Sequence, residues 1–119
     1  MISIVDDDEC ARGAMEGLVR SLGYAVATYA SAEDFLASNH VNETSCLITD
    51  LQLPGLSGIE LHRRLLADGF AAPTILVTGL ADETTRTQAL AAGTVGFLSK
   101  PFGKKSLIDC LKTVPARCR

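Results

Sequence analysis

The chain is 119 residues long, about the size of one ordinary domain, and 47% of its residues are hydrophobic while 21% are charged. This balance is typical of a packed domain and argues against disorder. A formal charge of −3, an isoelectric point near 5.2 and the absence of any basic block argue against nucleic acid or membrane as a direct partner. No apolar run is long enough to span a bilayer and no signal-peptide pattern opens the chain, so we expect a cytoplasmic location.

Short β-rich runs alternate with longer stretches of helical period along the chain, and five helices are expected in the gaps and the tail. The predicted strands cover residues 2–5, 24–29, 45–49, 73–78 and 95–99. This alternation predicts βα units, and right-handed crossovers then give a parallel sheet with helices on both faces. The order of the strands cannot be read from the pattern alone.

Glycine and serine punctuate this division. Gly23, Gly69 and Gly93 stand where a helix must turn left-handed before the next strand. Ser57 and Glu60 form a capping-box pattern ahead of the predicted third helix, and a weaker pattern of the same kind begins at residue 31. These signals predict where the second and third helices start and where the first, third and fourth end.

Polar residues end or follow four of the five predicted strands, at the sheet edge where ligands bind in open α/β folds. They are Asp6, Asp7 and Asp8, then Asp50, Thr78 and Lys100. Each has an ordinary explanation alone, since acids stabilise the amino terminus of a helix and Asp is common in turns. Together, carboxylates at one low-dielectric edge repel each other unless a cation binds between them. Oxygen ligands suit a hard divalent ion, and Mg²⁺ is the usual one where phosphate chemistry follows.

Four segments together resemble the receiver domains of two-component response regulators. They are IVDDDE at 4–9, LITDLQLPGLSGIEL at 47–61, ILVTG at 75–79 and GFLSKPF at 96–102. The resemblance covers nearly the whole chain and implies an α/β fold, a flavodoxin-like doubly wound (βα)5 sandwich with a five-stranded parallel sheet in the order 2-1-3-4-5. It assigns residues 1–114 to the receiver domain and residues 115–119 to a tail or the start of a linker.

The resemblance gives roles to the acidic residues. Asp50 is the expected phosphoacceptor, and Asp6 and Asp7 resemble the acidic pair that holds Mg²⁺ directly or through water. Gln52 is expected to contribute its backbone carbonyl, so the implied metal site comprises Asp6, Asp7, Asp50 and Gln52.

The same resemblance covers the residues around the phosphoryl group. Thr78 and Lys100 are expected to contact phosphoryl oxygens, so Asp50, Thr78 and Lys100 form the implied catalytic set. Phe97 occupies the family's aromatic switch position, where a rotamer change together with movement of Thr78 reports phosphorylation. Gln52 and Leu80 stand where the family tunes the lifetime of the phosphorylated state.

The implied function is that of a signalling domain. It takes a phosphoryl group from a sensor histidine kinase or a phosphotransfer protein, and it catalyses only its own phosphorylation and slow dephosphorylation. The expected switch surface comprises helix four, strand five and helix five and controls an output. The resemblance also allows a homodimer on phosphorylation and a DNA-binding output domain further along the chain.

Three alternatives compete with this interpretation. Phosphohydrolases of the haloacid dehalogenase type carry a D-x-D motif, in which the second Asp acts as acid and base. This chain has Gln52 at the position of that second Asp. A dinucleotide-binding enzyme would carry G-x-G-x-x-G after the first strand, and this chain has no such motif there. A receiver-like module that is never phosphorylated usually lacks the acidic pair, the acceptor Asp or the Lys, and this chain keeps all of them.

The two histidines and the four cysteines are not expected to belong to the site. His40 is predicted to lie in an exposed loop, and His62 is predicted to lie on a solvated helix face. The four cysteines have no C-x-x-C spacing, which predicts reduced and mostly buried thiols rather than a zinc or redox site.

Overall fold

A computed structural model describes most of the chain, and every structural statement below concerns the residues it describes. These are residues 1–38, 41–51, 53, 55–70, 72–79, 84, 87–88, 91, 96–99, 105 and 107–109.

Strands and helices alternate along the described residues as the sequence predicts. In chain order the elements are β1 (Ile2–Val5), α1 (Glu9–Ser21), β2 (Val26–Tyr29), α2 (Ala32–Ala37), a short 3-10 helix (Val41–Glu43), β3 (Cys46–Asp50), α3 (Gly58–Ala67), β4 (Thr74–Thr78) and β5 (Gly96–Ser99).

The strands form one parallel sheet in the order β2-β1-β3-β4-β5. The predicted parallel α/β fold is confirmed, including the adjacent positions of β1 and β3. Five strand boundaries differ from the prediction, four of them by a single residue: β3, β4 and β5 each begin one residue later than predicted. The strand β2 begins at Val26, two residues after Tyr24, and β3 runs one residue further, to Asp50, because Asp50 still pairs with Val77 of β4.

The three central strands are buried along their whole length, which explains their nearly continuous aliphatic sequence. One face packs against α1, in a cluster that includes Ile4, Met15, Val19, Ile48 and Val77. The opposite face packs against α2 and α3, in a cluster that includes Val5, Phe35, Leu47, Leu61 and Leu65. Helices therefore cover both faces of the sheet.

The helix boundaries follow the predicted signals. Ser57 and Glu60 form a complete capping box at the start of α3, and Ser31 caps α2 by accepting from the backbone amide of Asp34. Gly23 and Gly69 both adopt positive φ, at 95° and 87°, after α1 and α3. The prediction for Gly93 lies outside the described residues.

The prediction for His62 was wrong. Its residue is only 3% exposed, and its Nδ1 lies 3.0 Å from the hydroxyl oxygen of Thr74. The hydroxyl supplies a hydrogen-bonding partner at the first residue of β4, so a polar ring can occupy the inner face of α3. This contact links α3 to β4. The prediction for His40 lies outside the described residues.

Of the two described cysteines, one is buried, as predicted for most of the four, and the other is exposed. Cys46 is buried in β3, whereas Cys10 is exposed in the first turn of α1, and neither belongs to a disulfide. Cys110 and Cys118 lie outside the described residues. None of the helices in the described part of the chain is long and apolar enough to cross a bilayer.

Candidate functional site

Three carboxylates meet at the carboxyl edge of the sheet. One oxygen from each of Asp6, Asp7 and Asp50 lies within 4.8 Å of the other two. The residues come together because β1 and β3 are adjacent parallel strands that end at the same edge. Asp6 is 1% exposed and Asp50 is 8% exposed, whereas Asp7 is exposed. The cluster is therefore buried on one side and open to solvent on the other.

The acidic run after β1 divides into two roles. Asp8 is the amino-terminal cap of α1, and its carboxylate accepts from the backbone amides of Cys10 and Ala11 at 3.0 and 3.4 Å. The helix-stabilising explanation considered for this run therefore applies to Asp8. The carboxylates of Asp6 and Asp7 instead lie in the cluster with Asp50.

The turn that carries these acids is held by several hydrogen bonds. The amide of Asp6 donates to the carbonyl of Tyr29 at 3.1 Å, and one carboxylate oxygen of Asp6 accepts from the amide of Asp8 at 2.9 Å. The guanidinium of Arg12 donates to the carbonyl of Asp6, also at 2.9 Å. The turn is thus fixed to β2 and to α1 as well as to itself.

Asp50 is held by the close packing of α3 against the end of β3. The amide of Leu51 donates to the carbonyl of Val77 at 2.8 Å, and the amide of Gly58 donates to the carbonyl of Leu51 at 2.9 Å. A Cβ atom added to Gly58 would lie 2.5 Å from the carbonyl oxygen of Asp50. The first residue of α3 therefore has to be a glycine for the backbone to approach this closely.

The other predicted site residues are described only in part. Thr78 is fully buried at the end of β4, and its backbone pairs with Ser99, the residue before Lys100. Phe97 lies in β5 with its backbone opposite Leu76. Gln52, Leu80, Lys100 and the side chain of Phe97 lie outside what the structure describes.

The described donor set fits a hard cation. The three groups are carboxylates, and close carboxylates at a partly buried edge repel each other until a positive charge lies between them. Mg²⁺ prefers oxygen ligands and is commonly bound by one or two carboxylates with water and phosphate completing its shell. One exposed and two buried carboxylates match that pattern, since the open side leaves room for the remaining ligands.

Sequence reasoning missed two residues that shape this site, Arg12 and Gly58. Nothing in the sequence indicates that the side chain of Arg12 reaches back to a carbonyl six residues earlier. The glycine at position 58 does carry a signal, because glycine is a poor helix former and yet occupies the first position of α3. A close backbone approach is one of the few reasons to place it there.

Comparison with known proteins agrees with the fold. Residues 2–112 match the family described as the response regulator receiver domain, and the chain belongs to this family. Nodulation protein W of Bradyrhizobium diazoefficiens is 36% identical over 119 residues, which is 100% of this chain and 52% of that protein. The transcriptional regulatory protein FixJ of Rhizobium meliloti is 36% identical over 111 residues, which is 93% of this chain and 54% of that protein. The chain spans about half the length of the curated relatives it matches.

Solved structures show the same architecture. The crystal structure of FixJ-N superposes with a TM-score of 0.85 at 35% identity, covering 95% of this chain and 90% of that one. A DrrB receiver domain described as BeF3-activated gives a TM-score of 0.85 at 27% identity, covering 95% and 94% of the two chains. The chain is therefore a signalling domain of the two-component type, and the two enzyme alternatives are set aside.

Proposed function

We propose that this receiver domain accepts a phosphoryl group on Asp50 in a Mg²⁺-dependent reaction with a sensor histidine kinase or a phosphotransfer protein. The observation that carries the proposal is the cluster of Asp6, Asp7 and Asp50, whose oxygens lie within 4.8 Å of one another. An acceptor carboxylate repels an anionic donor, so phosphoryl transfer to Asp50 requires positive charge at this point. The carboxylates of Asp6 and Asp7 can bind a cation that supplies this positive charge.

The residues of the chain have distinct roles in this reaction. Asp6 and Asp7 hold the cation together with Asp50 and the backbone carbonyl of Gln52. Bound Mg²⁺ supplies charge neutralisation for the phosphoryl oxygens. An oxygen of Asp50 attacks phosphorus in line with the leaving group, which needs positioning more than covalent assistance from the protein.

Thr78, Lys100 and Phe97 connect the reaction to a response. The hydroxyl of Thr78 donates to a phosphoryl oxygen, and the ammonium of Lys100 pairs with the same group. Phosphorylation adds negative charge at Asp50, and the new contact draws Thr78 towards it. Phe97 then changes its rotamer, which alters the surface of the fourth predicted helix, β5 and the fifth predicted helix.

The complete domain is a (βα)5 sandwich in the order 2-1-3-4-5.

The output is proposed from the relatives. Their names include transcriptional regulatory proteins, and this chain spans about half of their length. We propose that a protein carrying this receiver acts in the cytoplasm and controls transcription through a DNA-binding domain. Phosphorylation of the receiver activates that domain, with dimerisation of the receiver as one route.

The direct test is intact mass after incubation with acetyl phosphate and Mg²⁺. We expect one phosphoryl increment, and we expect it to be lost when EDTA replaces Mg²⁺. The same sample without acetyl phosphate gives the baseline mass. An unchanged mass with both reagents present, in protein that is folded by circular dichroism, would instead identify a receiver-like module that is not phosphorylated.

The cation site can be tested by Asp7→Ala. We expect this substitution to weaken Mg²⁺ binding by about tenfold or more, because loss of a direct ligand should reduce the affinity at least as much as loss of a residue that only supports a ligand. Folding stability without Mg²⁺ should be unchanged or higher, because one source of carboxylate repulsion is removed. Isothermal titration calorimetry measures the affinity.

Asp8→Ala is the matched control for that experiment. It removes the neighbouring carboxylate, which caps α1, and should cost about 1 kcal/mol of stability while leaving the Mg²⁺ affinity close to that of wild type. Equal Mg²⁺ affinity in wild type and Asp7→Ala would show that Asp7 does not hold the ion.

Leu80 is proposed to lengthen the phosphorylated state. Hydrolysis needs a water in line with phosphorus, and an apolar side chain two residues beyond Thr78 cannot orient one. Leu80→His should lose its phosphoryl group several times faster than wild type once the donor is removed, as followed by intact mass. Leu80→Met, which stays apolar, should match wild type. Equal decay in Leu80→His and wild type would contradict the shielding role.

A further inference from the structure

Asp7 is exposed, yet both peptide groups that flank it are fixed by hydrogen bonds. The carbonyl of Asp6, in the peptide before Asp7, accepts from Nη1 of Arg12 at 2.9 Å. The amide of Asp8, in the peptide after Asp7, donates to a carboxylate oxygen of Asp6 at 2.9 Å. An exposed residue in a turn is thus held from both sides.

This arrangement fixes the direction of the Asp7 side chain. The two peptide planes are rigid units, so their orientation sets φ and ψ of Asp7 and with them the direction of its Cα–Cβ bond. The carboxylate has to point towards Asp6 and Asp50 to join their cluster. Rotation of the Asp6–Asp7 peptide would carry it away into solvent.

We propose that Arg12 is a positioning residue for the cation site. It holds the Asp6 carbonyl and thereby keeps the carboxylate of Asp7 in the cluster, without contacting the ion. This inference rests on the proposed function, because it assigns Arg12 a role towards the cation that Asp7 is proposed to bind. The partly buried side chain of Arg12 starts from the first turn of α1, so the helix acts as the rigid support for the turn.

The charge of Arg12 makes the sign of the effect informative. A guanidinium near the site repels a divalent cation, so a purely electrostatic role predicts tighter Mg²⁺ binding when Arg12 is neutralised. A positioning role predicts weaker binding, because the ligand geometry is lost. A role confined to overall stability predicts no change in affinity while the protein remains folded. Only the positioning role lowers the affinity.

Arg20 provides a matched control in the same helix. Its guanidinium also donates to a backbone carbonyl, that of Val26, at 3.1 Å, and it pairs with Glu16 at 3.1 Å. Arg20 is eight residues from Arg12, about 12 Å along the helix axis. At physiological ionic strength that exceeds the Debye length of about 8 Å, so its charge is largely screened from the cluster.

The experiment compares Mg²⁺ affinity in wild type, Arg12→Met and Arg20→Met by isothermal titration calorimetry. The chain has no tryptophan, so calorimetry replaces the usual fluorescence titration. Methionine keeps the apolar stem and removes both charge and donor. We expect about tenfold weaker binding in Arg12→Met, the lower end of what loss of an outer contact costs a metal site, and unchanged binding in Arg20→Met. Binding in Arg12→Met that is equal to or tighter than wild type overturns the proposal.

A second variant and a metal-free measurement complete the test. Arg12→Lys keeps the charge but loses the planar donor group, so it should bind Mg²⁺ two- to threefold more weakly than wild type. If Arg12→Met does not fold, Mg²⁺ binding by Arg12→Lys that equals or exceeds that of wild type counts against the proposal. Without Mg²⁺, the amide of Asp8 should exchange its hydrogen faster in the Arg12 variants and at the wild-type rate in Arg20→Met. Unchanged exchange in the Arg12 variants overturns the inference. Absence of Mg²⁺ binding by wild type would instead refute the proposed function.

Discussion

Asp50→Asn is expected to abolish phosphoryl incorporation from acetyl phosphate while leaving the fold intact. The amide has the size and shape of the carboxylate but lacks the nucleophilic oxygen that attacks phosphorus. Asp50 is 8% exposed at the end of β3, so an isosteric replacement avoids both a cavity and a clash. Intact mass should show no phosphoryl increment under conditions that fully modify wild type.

Asp68→Asn is the matched control for this result. Asp68 is an exposed carboxylate at the carboxyl end of α3, whereas Asp50 lies near the amino end of that helix. It should incorporate phosphate as wild type does. A phosphoryl increment on folded Asp50→Asn would mean that another residue is the acceptor.

Gly58→Ala is expected to destabilise the domain by about 2–3 kcal/mol. The added methyl group would lie 2.5 Å from the carbonyl oxygen of Asp50, 3.0 Å from Cα of Leu51 and 3.0 Å from a methyl group of Leu76. Two of these neighbours are backbone atoms. Rotation of a side chain therefore cannot relieve the clash, and α3 has to move away from β3. Urea unfolding followed by circular dichroism measures the loss. The displacement should also slow phosphorylation, because it acts on the backbone of Asp50.

Gly17→Ala is the control, and it should change stability in the opposite direction. A Cβ atom at Gly17 would have no neighbour within 4 Å, and the residue is exposed within α1. Replacement of a helical glycine by alanine there should stabilise the domain by up to about 1 kcal/mol. Equal stability of Gly58→Ala and wild type would show that the close approach of α3 to β3 is not needed.

The fold was largely predictable because its pattern is repeated along the chain. Continuous aliphatic strands alternating with amphipathic helices predict a parallel sheet covered on both faces, and both features are present. The strand ends were less predictable. Tyr24 and Ala25 suit a strand by composition, but β2 begins only at Val26, where pairing with Ile2 of β1 starts.

The cluster of acids was predictable from their positions after two strands. Which of the acids would join the cluster and which would cap α1 was not predictable. Asp6, Asp7 and Asp8 are identical in chemistry and consecutive in sequence. Whether each faces the cluster or the helix depends on the orientation of the peptide groups between them, which a list of residue types does not encode. Arg12 was missed for a related reason, since its contact is with a carbonyl and carbonyls are present at every position.

His62 shows the limit of classifying residues by polarity. A histidine beside two arginines suggests a solvated helix face, yet the side chain is buried against Thr74. The decisive factor is a hydroxyl on a different element, twelve residues away, and local periodicity carries no information about it.

The pairing of β1 with β3 also couples cation binding to folding. The carboxylates after these strands are far apart in sequence and meet only when the sheet has formed, so the unfolded chain has no such site. A cation bound there at a hundred times its dissociation constant would stabilise the native state by about 2.7 kcal/mol. By the same linkage, a substitution anywhere in the sheet that populates the unfolded chain would reduce the apparent affinity in proportion to the folded fraction. Loss of cation binding in a variant is therefore informative about the site only when the variant is shown to be folded.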